Sequence, residues 1–466
     1  MSNDRLKNKR VAEPSRLGSR DCKDRIRLRR ILSLQIEGEV DMAKKLFIFE
    51  DDKFTNFYPL TYNRPIYELL CGILRLKDKL IALYPEAEVI LLCRDYLTEV
   101  LRQKGSGKVN NFSIKKEDQL LFINGRILAE NKLPQKIKFS GKEIGFTFKG
   151  ELVALSLKGE DFKKYEDEVK TLYKKDKIRS IIKKIKAVEI KFNIINYLWD
   201  LIKSNPEEIE KDFIRLFQVK KNDLRKVVES SVKIYNQKDV YIGKNTHIDA
   251  FVVLDARKGP VYIDEDVAIQ SHTWIAGPAY IGAGSVLLGA KIREGTSIGS
   301  FCRIGGEVEN SIFLGYSNKY HEGFLGHSYA GEWVNLGALT TNSDLKNNYG
   351  NIKVFLNGKN IDTGLIKVGS MIGDHVKTGI GTLLNTGINI GFGSNLFGGG
   401  MIKEKFIPSF YWGGVQGFSE YEFGKMIDTA EKVMKRRNKK LTSKEKRLFS
   451  ILFELTKEER KLIRVR

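Results

Sequence analysis

The sequence predicts three consecutive architectures: an α/β domain, a parallel β-helix, and a helical C-terminal segment. Three observations predict them. Short β-type apolar runs alternate with helix-period stretches over residues 43–235; isoleucines and leucines then recur every six residues; and the chain after about 412 turns into charged amphipathic stretches. A chain of 466 residues is long enough for several cores.

Residues 1–42 form a basic, polar extension with no sustained periodicity, expected to be disordered and without a structural role. No secretory signal is expected from this segment, because DRIRLRR leads into only a short apolar stretch that soon turns acidic. The natural start of structure is MAKKLFIFEDD, where LFIF has the look of a buried first strand. VILLC and QLLFING supply further strands, with PIYELLCGILRLKDKLIALY expected as an amphipathic helix between the first and second. Such alternation suggests a parallel sheet. Residues 162–235 are lysine-rich and expected to be mostly helical, YLWDLIKSNPEEIEKDF being the most patterned part. The α/β domain with its helical connector is thus placed at 43–235.

From 236 to 412 the period is six. Ile263, Ile269, Ile275, Ile281 and Leu287 keep it; the register slips by one and resumes at Ile292, Ile298 and Ile304. It returns at Ile366, Ile372, Thr378, Leu384, Ile390, Leu396 and Ile402. Such repetition marks a parallel β-helix of roughly 18 residues per triangular coil, the apolar residue inward and a small residue at the corner. Two stretches interrupt the repeat. YSNKYHEGFLGH (316–327) holds two of the five histidines, and TTNSDLKNNYGNIKVFLNGKNIDTG (340–364) is rich in Asn, Lys and Asp. Both are expected to leave the prism as excursion loops. Residues 413–466 are expected to form one or two helices packed on the β-helix or a neighbour.

Composition limits the chemistry. The net charge is +22, with lysine spread along the whole chain and no aromatic-plus-basic RNA motif, which favours phosphorylated small molecules over nucleic acid. No apolar run approaches the ~18 residues that cross a bilayer. Four cysteines without metal or disulfide spacing point to a reducing cytoplasm.

Ser317-x-x-x-His321, then Leu325-Gly326, then VNLGA (334–338) and an Asn/Lys-rich loop resemble the acetyltransferase half of one family. That family is the bifunctional glucosamine-1-phosphate N-acetyltransferase/N-acetylglucosamine-1-phosphate uridyltransferases. FEDD (49–52), PLTYNRP (59–65) and GGEVENS (305–311) resemble a variant subgroup of it, and the likeness spans 43 to about 412. The resemblance implies a nucleotidyltransferase-like α/β domain, a left-handed β-helix and a homotrimer. It implies acetyl-CoA as co-substrate, an amino-sugar phosphate and a nucleoside triphosphate as substrates, and UDP-N-acetylglucosamine as product. His321 falls on the general base, a role that an imidazole with an ordinary pKa near 6.5 suits. Asn335 matches a sugar contact; Asp344, with Asn342 beside it, the acetyl-contacting position; Lys346 and Lys353 are phosphate candidates. Arg303 and Asn310 lie around the sugar-phosphate position, and Gly398 to Met401 with Lys403 where coenzyme A runs. His327 falls where the family has no histidine and is assigned to structure.

The first half departs from the family. No glycine lies between Ile48 and Cys71, where a phosphate-cradling loop is expected, and Asn124-Gly125-Arg126 stands where an Asp normally binds Mg2+. Asp51 or Asp52 remains as a candidate metal ligand, Arg64 or Arg126 as a candidate phosphate ligand, and Asn124 as a further candidate nucleotide contact. Two rivals follow: a nucleotidyltransferase with a regulatory β-helix, and a non-catalytic scaffold. A zinc site of the carbonic anhydrase type, drawing on His272, His321, His327 and His375, lacks the expected H-x4-H spacing.

Overall fold

The structure is a computed structural model that describes residues 42–217 and 230–461. The basic extension over 1–41 therefore lies outside the described residues.

The first apolar run becomes β1 (Lys44–Phe49), flanked in parallel by β2 (Glu88–Leu92) and, on its other side, β4 (Gln119–Asn124); β3 (Lys108–Val109) extends the β2 edge. Beyond β4 the sheet is mixed: β6 (Glu151–Lys158) runs antiparallel to β4, then β5 (Ile144–Phe148), then β7 (Ala187–Glu189). The order is β3-β2-β1-β4-β6-β5-β7. Leu46, Phe47, Ile48 and Phe49 are all fully buried, so successive side chains of β1 pack on both faces, as its unbroken apolar run requires.

PIYELLCGILRLKDKLIALY is α-helical in its second half, its first half holding only a 3-10 turn over Ile66–Glu68. A two-stranded hairpin, Leu70–Cys71 with Leu74–Arg75, precedes α1 (Leu76–Leu83). The cause is Gly72, whose φ of +80° makes the hairpin turn. An added Cβ there would sit 2.6 Å from the Asp212 carboxylate, so the turn is also a close-packing point. The expected helical connector is mixed as well, with β7 and short helices before α2 (Leu198–Phe217).

The second half is a left-handed parallel β-helix. Nine parallel strands, from Val240–Ile242 to Phe406–Ile407, make one face. Ile263, Ile281, Ile298, Ile372 and Ile390 stack inside it without exposure. The other repeat isoleucines and leucines line the same core. Ile366 is the exception at 52% exposure; it belongs to the returning arm of a loop, and Val368 is the buried residue there.

Coil length explains what the period-six pattern missed. In-register partners are 21 residues apart in the first coil (Ile242↔Ile263) and 17 at Ile281↔Ile298. The coil from Phe313 to Ala330 takes 17, so YSNKYHEGFLGH never leaves the prism. Asn318–Lys319 and Phe324–Gly326 pair in parallel with Arg303–Glu309 below. What hid this rung is Lys319, fully buried opposite Ile304 at a position expected to be apolar. The coil from Ala330 to Ile372 takes 42, which places the single large excursion over the Asn/Lys-rich stretch. Its tip is the hairpin Lys353–Leu356 with Lys359–Asp362. FIPSFYWGG does not end the prism: Tyr411–Gly414 still pairs with Asn395–Phe397.

The α/β domain and α3 (Phe423–Lys435) and α4 (Ser443–Leu455) pack on the β-helix. Tyr241, Tyr262, Tyr280 and Tyr329 project from the nine-stranded face into an apolar layer with Leu198, Ile202 and Phe213 of α2. Polar links fix the register: the Tyr329 hydroxyl donates to Leu70 O (2.8 Å), and Asn205 Nδ2 to Gly295 O (2.8 Å). One corner carries an aromatic ladder, Phe301, Tyr316, Trp333 and His375, which Phe449 of α4 covers. Among the described residues no helix is long and apolar enough to cross a membrane.

Candidate functional site

The carboxyl ends of β1 and β4 are where an open α/β sheet presents its ligand crevice. Here that edge is filled by the chain itself. Arg126, fully buried, donates from Nε and Nη2 to Asp51 Oδ2 (2.9 and 2.6 Å) and from Nη1 to Ile195 O (2.9 Å). Its Nη2 also reaches Glu151. Asn124 Nδ2 donates to the same Asp51 oxygen (2.8 Å), and its Oδ1 accepts the Arg126 amide (3.0 Å). Burial opposes the Arg126 charge, but Asp51 and Glu151 outweigh it and raise its pKa.

Arg64 leaves this edge altogether. Its guanidinium grips Asp374 of the β-helix through two nitrogens (2.8 and 2.5 Å), with Glu332 at 3.2 Å. Arg94, on the strand end beside it, is held by Glu50 and by the carbonyls of Thr61 and Arg64. The sequence expectation that Arg64 and Arg126 contact phosphate is thus corrected: both cations are spent on buried carboxylates. Asp52 alone of the group is exposed, and burial of its neighbourhood, with Asp51 adding to it, raises its pKa. A divalent cation does not fit Asp51 as it stands, because the guanidinium already occupies its carboxylate.

In the β-helix the candidate residues fall on separate edges of the prism. His321 sits at an exposed corner between Asn318–Lys319 and Phe324–Gly326, edge-on to Tyr320 (4.9 Å). Among the described residues its side chain has no hydrogen-bond partner. Beneath it, Lys319 donates from Nζ to Gly305 O (2.8 Å) and His321 O (3.2 Å), so the corner is pinned from inside. Burial drops the Lys319 pKa to about 8, against the pull of Glu322 and Glu307.

Arg303, Asn318 and Asn335 stack in successive coils of one face, Asn318 Nδ2 donating to Asn335 Oδ1 (3.2 Å). Arg437, just beyond α3, reaches Asn318 Oδ1 from outside, a contact no sequence motif signalled. Asn342 is not free for an acetyl group: its carboxamide accepts from Gly326 N (2.8 Å) and donates to Gly326 O (2.9 Å), closing the next corner. At that corner His327 Nδ1 pairs with Asp344 Oδ2 (2.7 Å). Burial works against the Asp344 charge, yet His327 holds its pKa below the usual value. The pair ties the foot of the excursion to the coil, and His327, with Asn310 and Lys367, lines a groove of about 230 Å³ against α2. Asn310 therefore lies beside His327 rather than beside His321.

Lys346 is turned back onto Asn351 O, whereas Lys353 and Lys403 are exposed. Gly398, Gly399 and Gly400 form an open turn, all at positive φ (94°, 67° and 79°), with nothing near a Cβ at Gly398. The four histidines of the zinc alternative do not converge: His272, stacked on Phe251, shares a corner with His321 but lies three coils away, while His327 and His375, the latter buried under Phe449, sit on the other two corners. No metal-ligating cluster occurs among the described residues.

Comparison with known proteins matches residues 46–221 to the sugar nucleotidyl transferase family. The first half of the chain is a sugar nucleotidyl transferase-like domain. A bifunctional sugar-1-phosphate nucleotidylyltransferase/acetyltransferase of Sulfurisphaera tokodaii is 36% identical over 159 residues, 32% of this chain and 37% of that protein. The bifunctional protein GlmU of Acidithiobacillus ferrooxidans is 33% identical over 36% of this chain and 33% of its own length. GlmU of Methanocaldococcus jannaschii is 24% identical over 59% of this chain and 70% of its own. These matches bear out the resemblance to the bifunctional nucleotidyltransferase/acetyltransferase family. The chain spans only about a third of the length of the first two relatives. In the matched region the strand-end edge is closed by Arg126, Asn124, Asp51 and Glu151.

Proposed function

We propose that the protein is a bifunctional transferase of sugar-nucleotide synthesis whose β-helix half acetylates glucosamine 1-phosphate from acetyl-CoA. The transferase domain would then join the product to a uridylyl group, giving UDP-N-acetylglucosamine. The observation that carries this reading is one chain holding both a sugar nucleotidyl transferase domain and a β-helix with a solvent-open imidazole, His321, at a pinned corner. A scaffold has no use for such a group.

In the acetyl transfer, the amine attacks the thioester carbon; a C–N bond forms and the C–S bond breaks. The amine loses its proton to His321 as it attacks, and the thiolate leaves as coenzyme A, taking that proton back. Arg303 and Asn335 share a face next to the His321 corner and suit sugar phosphate and hydroxyls. Lys403 and the open turn at Gly398 suit coenzyme A. Asn310, Asp344 and His327 lie across the prism, so a complete site calls for a second chain; we place it in a homotrimer acting in the cytoplasm.

A second reading is favoured by the Arg126–Asp51–Glu151 network: an acetyltransferase whose first half turns over slowly and with little dependence on Mg2+. Thiol release from acetyl-CoA with a panel of amino-sugar phosphates tests the main reading. Release with glucosamine 1-phosphate supports it, and no release with any member of the panel refutes it.

A further inference from the structure

The stretch that replaces a glycine-rich loop, FEDDKFTNFYPLTYNRP, does something besides gripping the β-helix through Arg64. Its tyrosines Tyr58 and Tyr62 stack face to face at 3.8 Å and form one wall of a pocket of about 150 Å³. The excursion hairpin supplies the opposite wall: Phe355 lies against Phe406 (5.1 Å), and Asn357 donates to Thr55 O (3.3 Å), holding hairpin and loop together. Asn389 of the β-helix and Glu459 near the end of the described chain complete the lining.

Two polar atoms in this lining have no partner. Asn389, 2% exposed, donates to Phe355 O (3.2 Å), but its Oδ1 accepts nothing. Glu459 takes the Tyr62 hydroxyl on Oε1, while Oε2 is buried and unpaired. A buried carboxylate oxygen or amide oxygen left unsatisfied is costly, and native structures seldom carry one without a function or a ligand. Burial accordingly raises the Glu459 pKa, with the Tyr62 hydrogen bond working the other way. Arg460, next in sequence, turns away to Glu420 (2.6 Å). In a chain of net charge +22, no lysine or arginine lines the pocket.

Aromatic faces, an unpaired carboxylate oxygen, an amide acceptor and no cation are the arrangement that recognises an ammonium group. The same composition disfavours phosphate, and the volume is below that of sites for drug-sized ligands. We propose that this junction pocket binds a primary ammonium group on a compact body, held by Glu459 and Asn389 between Tyr62 and Phe355. Its position between the excursion and the loop at residues 52–65 makes the ligand a clasp between the two halves of the chain. The inference does not depend on acetyl transfer, since it uses none of the residues assigned to it.

Calorimetric titration of the full chain with glucosamine and with n-butylammonium tests it, with N-acetylglucosamine and glucose as uncharged comparators. Saturable binding of an ammonium probe, at least tenfold weaker in Glu459→Gln and unchanged in His321→Ala, is the expected result. Binding of glucosamine alone identifies an amino sugar, and binding of n-butylammonium alone identifies a non-sugar amine. Equal binding of N-acetylglucosamine, or loss of binding in His321→Ala, overturns the proposal. Should Glu459→Gln fail to fold, a crystal soaked with the ammonium probe decides: nitrogen between Glu459 and Asn389 supports it, and water alone there overturns it.

Discussion

The two halves of this chain treat their functional cations and bases in opposite ways. At the strand ends of the α/β domain, Arg64, Arg94 and Arg126 are each buried and matched to carboxylates or carbonyls. At the β-helix corner, His321 is open and its side chain unpaired, while only its backbone is tied down, by Lys319. Closed networks stabilise and position; an open base on a fixed corner is free to exchange a proton. On the proposed function acid–base chemistry belongs to the second half; of the three arginines only Arg64 ties the halves together, through Asp374 and Glu332, while Arg94 and Arg126 close networks within the first half.

The largest expected effect breaks the open side of that comparison. His321→Ala should lower acetyl transfer by ~10²–10⁴-fold with acetyl-CoA binding nearly intact, read from initial rates and from titration of the cofactor. His327→Ala should change the rate far less, because its imidazole is committed to Asp344. Should the two variants be equally impaired, the His327–Asp344 pair would have to be the proton acceptor.

Next comes the closed side. Arg126→Met leaves Asp51 buried without its counter-ion, a change that typically costs roughly 3–5 kcal/mol. Urea unfolding should show the loss in the α/β domain. Stability close to wild type would mean that water or a metal replaces the guanidinium at little cost.

Part of this contrast is legible in the amino-acid order alone. The period of six marks the β-helix, and its strand positions hold at every repeat residue except Ile366. Asn124-Gly125-Arg126 likewise signals a cation at a metal position. Two things are hidden for physical reasons. A buried lysine at 319 breaks the apolar count, so a regular coil looks like a loop. Pairings such as Arg64–Asp374 and His327–Asp344 join residues 310 and 17 positions apart, and nothing local in the sequence announces them.

A smaller effect sharpens the account at the aromatic corner. Burial lowers the Lys377 pKa to about 7, with Asp374 opposing, and its Nζ donates only to the carbonyls of Trp333 and His375. The unfolded chain holds this proton up to its ordinary pKa near 10.4, so folding releases it between about pH 7 and 10. Lys377 therefore penalises the fold below pH 7, and the penalty fades as pH rises. The stability difference between wild type and Lys377→Met should shrink from pH 7 to pH 9 in urea melts. A difference that is flat over that range would show the ammonium to be well solvated.

The most direct test measures both half-reactions on one preparation of the full chain, with Mg2+ and again with EDTA. Thiol release from acetyl-CoA and glucosamine 1-phosphate should be rapid and indifferent to EDTA. Pyrophosphate release from UTP and N-acetylglucosamine 1-phosphate should be slow and nearly as indifferent, because Arg126 already fills the Asp51 carboxylate. Rapid pyrophosphate release that EDTA abolishes, with no thiol release, would contradict the account.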